Sequence, residues 1–181
     1  MVKKSWEKKV DNKGFTLVEL IVVLVILAIL AAILVPALLG YIDRAKGSQV
    51  LLNGKSVLTA AQAEASNAYG TASGDETINT KFTADVCKRV GTTADTPNGS
   101  GAYFTTGVKG EKATADKHAA WTIKYVAYWE GDTGVFFDGA SWQEGLTATE
   151  AQDALKAKYA KYGSFTKADD GTVAGTAYIA D

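Results

Sequence analysis

Three residues near the start of the chain, Gly14, Phe15 and Glu19, have types and a spacing that suit chemistry. Gly14 has no side chain, so the backbone at the Gly14–Phe15 bond can lie extended in the cleft of a peptidase. Cleavage there would leave an amine on Phe15, four residues before Glu19, and helical residues at that spacing share one face. These residues therefore predict a processing site and a charge pair, within one chain or between adjacent chains.

The element that must position Glu19 is the apolar run of residues 20–39, which holds only Leu, Ile, Val, Ala and Pro36. As a helix, these 20 residues span about 30 Å, the thickness of a bilayer's hydrocarbon core. An ionised Glu19 at the edge of such a run is unfavourable unless it is paired. The alternative is a carboxylate that reaches the lipid headgroups from a helix end. Pro36 lacks an amide hydrogen, which predicts a kink or a loosened segment.

Two simpler interpretations of the N-terminus account for less of the sequence. A secretory signal peptide has a shorter apolar core, followed by a small-residue cleavage site. A plain signal anchor matches the length of the run but leaves Glu19 and the Lys13-Gly14-Phe15 junction without a role.

The segment Lys13-Gly14-Phe15-Thr16-Leu17-Val18-Glu19-Leu20, with the aliphatic helix that follows it, resembles the N-terminus of bacterial type IV prepilins. The resemblance covers residues 1–45. It implies that a prepilin peptidase cleaves after Gly14 and methylates the new amine on Phe15. It also implies that Glu19 pairs with the Phe15 amine of a neighbouring subunit, and that the helix bends or melts at Pro36 in the filament. The chain would then be a substrate and not an enzyme, with no cofactor and no metal.

The resemblance divides the chain into a leader peptide (1–14), a long helix (15–69, with about 18–40 transmembrane) and a globular head (70–181). The fold expected is α+β and type IV pilin-like, with the long helix packed against a small antiparallel sheet. By the positive-inside rule, basic residues hold the leader in the cytoplasm and place the head outside. The protein would cross the cytoplasmic membrane once before assembly and lie in an extracellular pilus afterwards. The basic residues of the leader are Lys3, Lys4, Lys8, Lys9 and Lys13.

Periodicity predicts the elements of the head. Strands are expected at 121–129, 135–137 and 173–179, with one face of the first strand formed by Trp121, Ile123, Tyr125, Ala127 and Trp129. A short helix is expected at 82–90, ended by Gly91, within a surface-lying connection over 70–120 whose residues 69–75 and 92–101 are expected to be loops. Thr147 and Glu150 form a capping-box pattern that opens a helix to about Tyr162, ended by Gly163. The second half of the long helix would present these residues to the sheet: Val50, Leu51, Val57, Leu58, Ala61 and Ala65.

Charge and cysteine content exclude several classes. Residues 15–181 carry four more acidic than basic side chains, which argues against nucleic-acid binding. Cys87 is alone, so no internal disulfide is possible and a small buried apolar role is expected. The chain thus departs from pilins with a C-terminal disulfide loop and looks closer to the cysteine-poor pilins of Gram-positive bacteria. His118 is expected in a solvated loop, and Asp132-Thr133-Gly134 and Asp169-Asp170-Gly171 in turns rather than calcium sites.

The function expected is that of a structural subunit of a type IV pilus. Its partners would be the prepilin peptidase, other copies of the chain and the pilus assembly machinery of the membrane. Two alternatives stay open: a pseudopilin of a type II secretion or DNA-uptake system (or a minor pilin), and a membrane-anchored binding module. The roles typical of such pili, cell adhesion and twitching motility among them, are not distinguished by the sequence.

Overall fold

The structure is a computed structural model that describes residues 14–71, 83–106, 121–158 and 161–179. The chain divides into two compact units, Met1–Asp43 and Arg44–Asp181. The described part of the first unit is the beginning of one long helix. In the described part of the second unit, the remainder of that helix packs with a sheet and two shorter helices. His118 lies outside the described residues.

Helix α1 extends over Leu17–Thr71, against a predicted 15–69. Its inward face in the second unit is the predicted one, because Val50, Val57, Ala61 and Ala65 are buried and both predicted leucines pack against that core. Gly54 is also buried there. A Cβ at this position would lie 2.9 Å from a methyl carbon of Val135, so the glycine allows the helix to approach the sheet closely.

Within the described residues, six antiparallel strands form one sheet in the order β4-β3-β2-β1-β5-β6. The prediction of an α+β fold with a long helix against an antiparallel sheet is therefore confirmed, although the sheet has twice the predicted number of strands. The strands are β1 (Ser100–Thr105), β2 (Tyr125–Glu130), β3 (Thr133–Phe137), β4 (Trp142–Thr147), β5 (Lys161–Lys167) and β6 (Val173–Ile179).

The two faces of the sheet carry separate hydrophobic cores. Helix α1 and helix α2 (Ala84–Thr93) cover one face, where the largest fully buried side chains are those of Tyr128, Phe104 and Phe165. Helix α3 (Ala148–Lys158) covers the other face. Each large aliphatic or aromatic side chain buried in this way gains about 1.5–3 kcal/mol. The smaller core beneath α3 consists of Ala127, Phe136, Ala151 and Leu155.

Strand β1 lies within residues 70–120, where the sequence predicted no strand. It pairs with β2 on one side and β5 on the other, and Phe104 in it is 1% exposed. Its glycine and serine content had suggested a surface connection. Gly101 instead faces the indole of Trp129, which pairs with it from β2 and occupies the space a side chain would fill.

The helix predicted over 147–162 is shorter, because it ends at Lys158 and residue 161 begins strand β5. Gly163 is therefore not a helix end but a strand residue opposite Phe104. A Cβ on Gly163 would lie 2.7 Å from the Phe104 ring and 2.9 Å from the Cys87 Sγ. The glycine is required by close packing between α2 and the sheet. The predicted capping box at the start of α3 is present.

The predicted face of the 121–129 strand is wrong. The strand begins only at Tyr125, and Trp121 and Ile123 lie in the same core as Tyr128, opposite Ala127. The cause is the side chain of Gln62, whose Nε2 donates to the Trp121 carbonyl (3.2 Å) and whose Oε1 accepts from the Ile123 N–H (2.8 Å). These bonds tie the segment to α1, so its alternation does not continue into the strand.

Helix α2 was predicted over 82–90 but runs through Gly91, which is buried. Thr83 caps its start by accepting a hydrogen bond from the Val86 N–H (3.4 Å). A Cβ on Gly91 would lie 2.6 Å from the Phe165 ring, so this glycine also serves packing rather than helix termination.

Candidate functional site

The start of α1 is organised by a reciprocal set of hydrogen bonds between Thr16 and Glu19. Oε2 of Glu19 accepts from the Thr16 N–H (2.8 Å) and from the Thr16 hydroxyl (2.8 Å). The Glu19 N–H in turn donates to the Thr16 Oγ1 (3.2 Å). This is a capping box, which satisfies two backbone donors that a helix start otherwise leaves unpaired.

Both bonds to the Glu19 carboxylate use the same oxygen, Oε2. No described residue contacts its Oε1 within hydrogen-bonding distance. The carboxylate is thus held in a defined orientation by its own chain while one oxygen keeps its full capacity to accept. Such an oxygen suits a cation supplied from outside the described part of the chain.

The Gly14–Phe15 bond lies before the helix and is accessible. Residues 14–16 are not helical, and the Phe15 side chain is 88% exposed. A Cβ built on Gly14 would meet no atom within 4 Å. The sequence-predicted scissile bond and the predicted charge Glu19 therefore lie on either side of the Thr16 cap.

The apolar part of α1 is exposed along its length. Large apolar side chains between Leu17 and Ile42 are 41% to 74% exposed, and Pro36 lies inside the helix without interrupting it. Among the described residues, α1 is the one helix long and apolar enough to cross a membrane. An exposed apolar surface of this size requires a lipid or protein environment to cover it.

Metal ligands and reactive side chains are the features of the described part of the head that could support chemistry. Among the described residues, no three His, Cys, Asp or Glu side chains gather as metal ligands would. Cys87 is buried, as predicted, and burial raises the pKa of its thiol to about 11. The Asp170 carboxylate accepts from the Thr172 N–H (2.8 Å) within the β5–β6 turn. Its role is turn formation, as the sequence predicted.

Sequence reasoning missed one residue of the site, Thr16. The signal was present, because Thr16 and Glu19 have the same spacing as Thr147 and Glu150, which was identified as a capping box. The two boxes have matching geometry: in the second, Oε2 of Glu150 accepts from the Thr147 N–H at 2.8 Å and from its hydroxyl at 2.9 Å.

A comparison with models of protein families gives a match that falls on this site. Residues 10–35 match the family model described as the prokaryotic N-terminal methylation motif. No curated protein and no solved structure matched the chain. The matched residues include Gly14, Phe15, Thr16 and Glu19. The chain therefore carries the N-terminal signature of type IV prepilin-like proteins.

Proposed function

We propose that this chain is the precursor of a structural subunit of a type IV pilus. The observation that carries the proposal is the position of Glu19, a carboxylate held at the start of a long exposed apolar helix and close to an accessible Gly–Phe bond. A helix that served only as an anchor could be capped without placing an ionised carboxylate at the edge of the apolar run, where the charge is unfavourable unless it is paired. The matched methylation motif supports a pilin-like or pseudopilin-like precursor in the same way.

The first step of the proposed function is processing. A prepilin peptidase cleaves the Gly14–Phe15 bond and methylates the new amine of Phe15. The exposure of Phe15 and the open space around Gly14 support this step. In this step the chain acts as a substrate, and we propose no catalytic residue, cofactor or metal for it.

The second step is assembly, in which Glu19 pairs with the Phe15 amine of a neighbouring subunit. Oε2 of Glu19 is already bonded to Thr16, and Oε1 accepts the incoming ammonium. Within packed apolar helices each charge alone is unfavourable, so the pair forms only when the two chains are in register. Apolar contacts between helices supply most of the free energy of association, and the charge pair selects the register.

Pro36 is the proposed site of bending. Its ring removes one backbone hydrogen bond within the apolar part of α1. A helix weakened there can bend or melt locally when many copies pack together. The apolar part of α1 spans the cytoplasmic membrane before assembly and lies inside the filament afterwards, with the heads of residues 70–181 in water.

The experiment is expression of wild type and of the Glu19→Ala variant in a host with a pilus assembly machinery. Sheared surface filaments are imaged by electron microscopy, and their subunits are sequenced from the N-terminus. The expected result is filaments of wild-type protein beginning at Phe15, and a loss of filaments in the variant although the variant chain is made. An exposed Ser48→Ala variant on the same helix serves as the matched control and should assemble normally.

Each other outcome contradicts a defined part of the proposal. A wild-type chain that is cleaved but enters no filament would favour a pseudopilin or a minor pilin. An uncleaved monomer that is indifferent to the change at Glu19 would favour a membrane-anchored binding module and overturn the pilin proposal.

A further inference from the structure

The helix begins abruptly at Leu17, although the preceding residues do not exclude a helix by themselves. The first intrahelical bond runs from the Leu20 N–H to the Thr16 carbonyl (3.3 Å). Gly14, Phe15 and Thr16 are outside the helix. Phenylalanine is an acceptable helix residue, and the sequence offers two strong alternative caps upstream, Asp11 and Asn12.

The donors that an upstream extension would need are occupied by the capping box. In an α-helix, the N–H of residue i bonds to the carbonyl of residue i−4. Adding Phe15 to the helix would therefore direct the Glu19 N–H to the Phe15 carbonyl, but that N–H donates to the Thr16 Oγ1 (3.2 Å). Extending further would direct the Thr16 N–H to Asn12, but that N–H donates to the Glu19 Oε2 (2.8 Å).

Gly14 acts in the same direction. Glycine in a helix interior is less favourable than alanine by about 0.5–1 kcal/mol, so extension across residue 14 is disfavoured. The cap and the glycine together leave the carbonyls of Gly14 and Phe15 outside the helical hydrogen-bond pattern. A peptide bond outside the helix can form backbone hydrogen bonds with a protease cleft. A peptide bond inside the helix has its polar groups bonded within the helix.

We infer that Thr16 is a positioning residue for cleavage: its hydroxyl stops α1 short of the Gly14–Phe15 bond and keeps that bond extended for the peptidase. The inference rests on the proposed function, because it concerns the rate of the same processing step. It gives the Thr16–Glu19 box a role in processing that depends on hydrogen bonding and not on the charge of Glu19.

The test is the initial rate at which a purified prepilin peptidase cleaves the full-length chain in detergent micelles, with the product mass identifying the new N-terminus at Phe15. Thr16→Val keeps the shape of the side chain and removes the hydroxyl, whereas Thr16→Ser keeps the hydroxyl and removes a methyl group. Glu19→Gln keeps a capping-box acceptor and removes the charge. Amide hydrogen exchange on the same samples reports where the helix begins.

The expected result is that Thr16→Val is cleaved about fivefold more slowly than wild type, the effect of losing a typical N-cap. The helix of this variant should then begin before Gly14, and amide hydrogen exchange at residues 15 and 16 should be slower than in the wild type. The Thr16→Ser chain should be cleaved at the wild-type rate, and the Glu19→Gln chain, which keeps the acceptor of the box, should be cleaved faster than Thr16→Val. The Glu19→Gln chain should still fail to form filaments, which separates processing from assembly.

Three results would overturn the inference. One is a wild-type cleavage rate for Thr16→Val. Another is a decrease in the cleavage rate of Thr16→Ser as large as that of Thr16→Val, which would indicate that the peptidase recognises the side chain by shape. The third is slow cleavage of Thr16→Val with an unchanged helix start. All three leave the proposed function intact, whereas a wild-type chain that the peptidase does not cleave at all would overturn both.

Discussion

Asn53 in α1 and Glu130 at the end of β2 are joined by a hydrogen bond of 2.6 Å from Nδ2 to Oε1. The same carboxylate oxygen accepts from the Tyr128 hydroxyl at 2.7 Å, and the Asn53 Oδ1 accepts from Gln49 at 3.1 Å. Tyr128 is fully buried, and burial raises the pKa of its hydroxyl above the ordinary value. One oxygen of Glu130 therefore accepts hydrogen bonds from the buried Tyr128 hydroxyl and from Asn53 of the long helix.

Replacing Asn53 by alanine should destabilise the head. The change removes the bond to Glu130 at a half-buried position, and a typical hydrogen bond makes a net contribution of about 0.5–1.5 kcal/mol, since Glu130 keeps its bond from Tyr128. Thermal unfolding of the full-length chain in detergent should show a lower midpoint. Gln49→Ala removes only the exposed end of the same chain of bonds and should have little effect. Equal midpoints for the two variants would show that the Asn53–Glu130 bond does not stabilise the docked helix.

Replacing Gly175 by alanine should displace α2. A Cβ on Gly175 would overlap the Ala84 carbonyl oxygen and the Lys88 backbone nitrogen, and backbone atoms cannot rotate away as a side chain can. The expected loss is about 1–3 kcal/mol, as for other overpacked sites, measured by chemical unfolding.

Gly47→Ala is the matched control for this variant. A Cβ there meets open space within α1, so the change should raise stability by about 0.5–1 kcal/mol. A Gly175→Ala chain as stable as wild type would show that α2 does not press on β6.

The sequence was most informative where one physical demand dominates. A run of apolar residues in contact with lipid must be helical, and the residues around Gly14 and Glu19 are not explained by packing. The buried face of the second half of α1 could also be predicted from the sequence, because a helix that covers a sheet has apolar residues at helical spacing on the covered side. Val57 and Ala61 are both fully buried, as that periodicity predicted.

Two of the strands that the sequence did not predict, β1 and β5, contain a glycine that close packing requires. The sequence predicts a loop that reaches Gly101 and a helix that ends at Gly163, because glycine alone signals a turn or a helix end. Their actual role depends on partners distant in the sequence: Trp129 lies over the first, and Phe104 with Cys87 over the second. No local pattern contains that information. For the same reason, the sequence did not predict that Gln62 holds residues 121–124 against α1.

Cys87 should be unreactive in the folded chain. Burial raises its pKa from 9.0 to about 11, so at neutral pH the thiolate fraction is about a hundredfold lower than for an unperturbed thiol. Iodoacetamide should label the folded protein very slowly and the urea-unfolded protein at the rate of a free cysteine, with mass spectrometry reporting the modified fraction. Rapid labelling before unfolding would mean that α2 opens from the sheet.

The capping box of α3 should make a contribution to stability that depends on pH. The Thr147 N–H and hydroxyl donate to the ionised Glu150 carboxylate, which lowers the Glu150 pKa below its ordinary value of 4.5. A group whose pKa is lower in the folded state stabilises that state above its unfolded pKa, and the contribution is lost as the pH falls through the folded pKa.

Comparison with Glu150→Gln isolates this contribution, because glutamine keeps the shape of the box without the charge. At neutral pH the wild type should unfold at a higher temperature than the variant. In acid well below 4.5 the carboxyl is protonated and the two midpoints should converge. Bonds from Thr172 also lower the pKa of Asp170, but that group is present in both chains and cancels in the difference. A gap between the midpoints that persists in acid would mean that the carboxylate charge does not stabilise the start of α3.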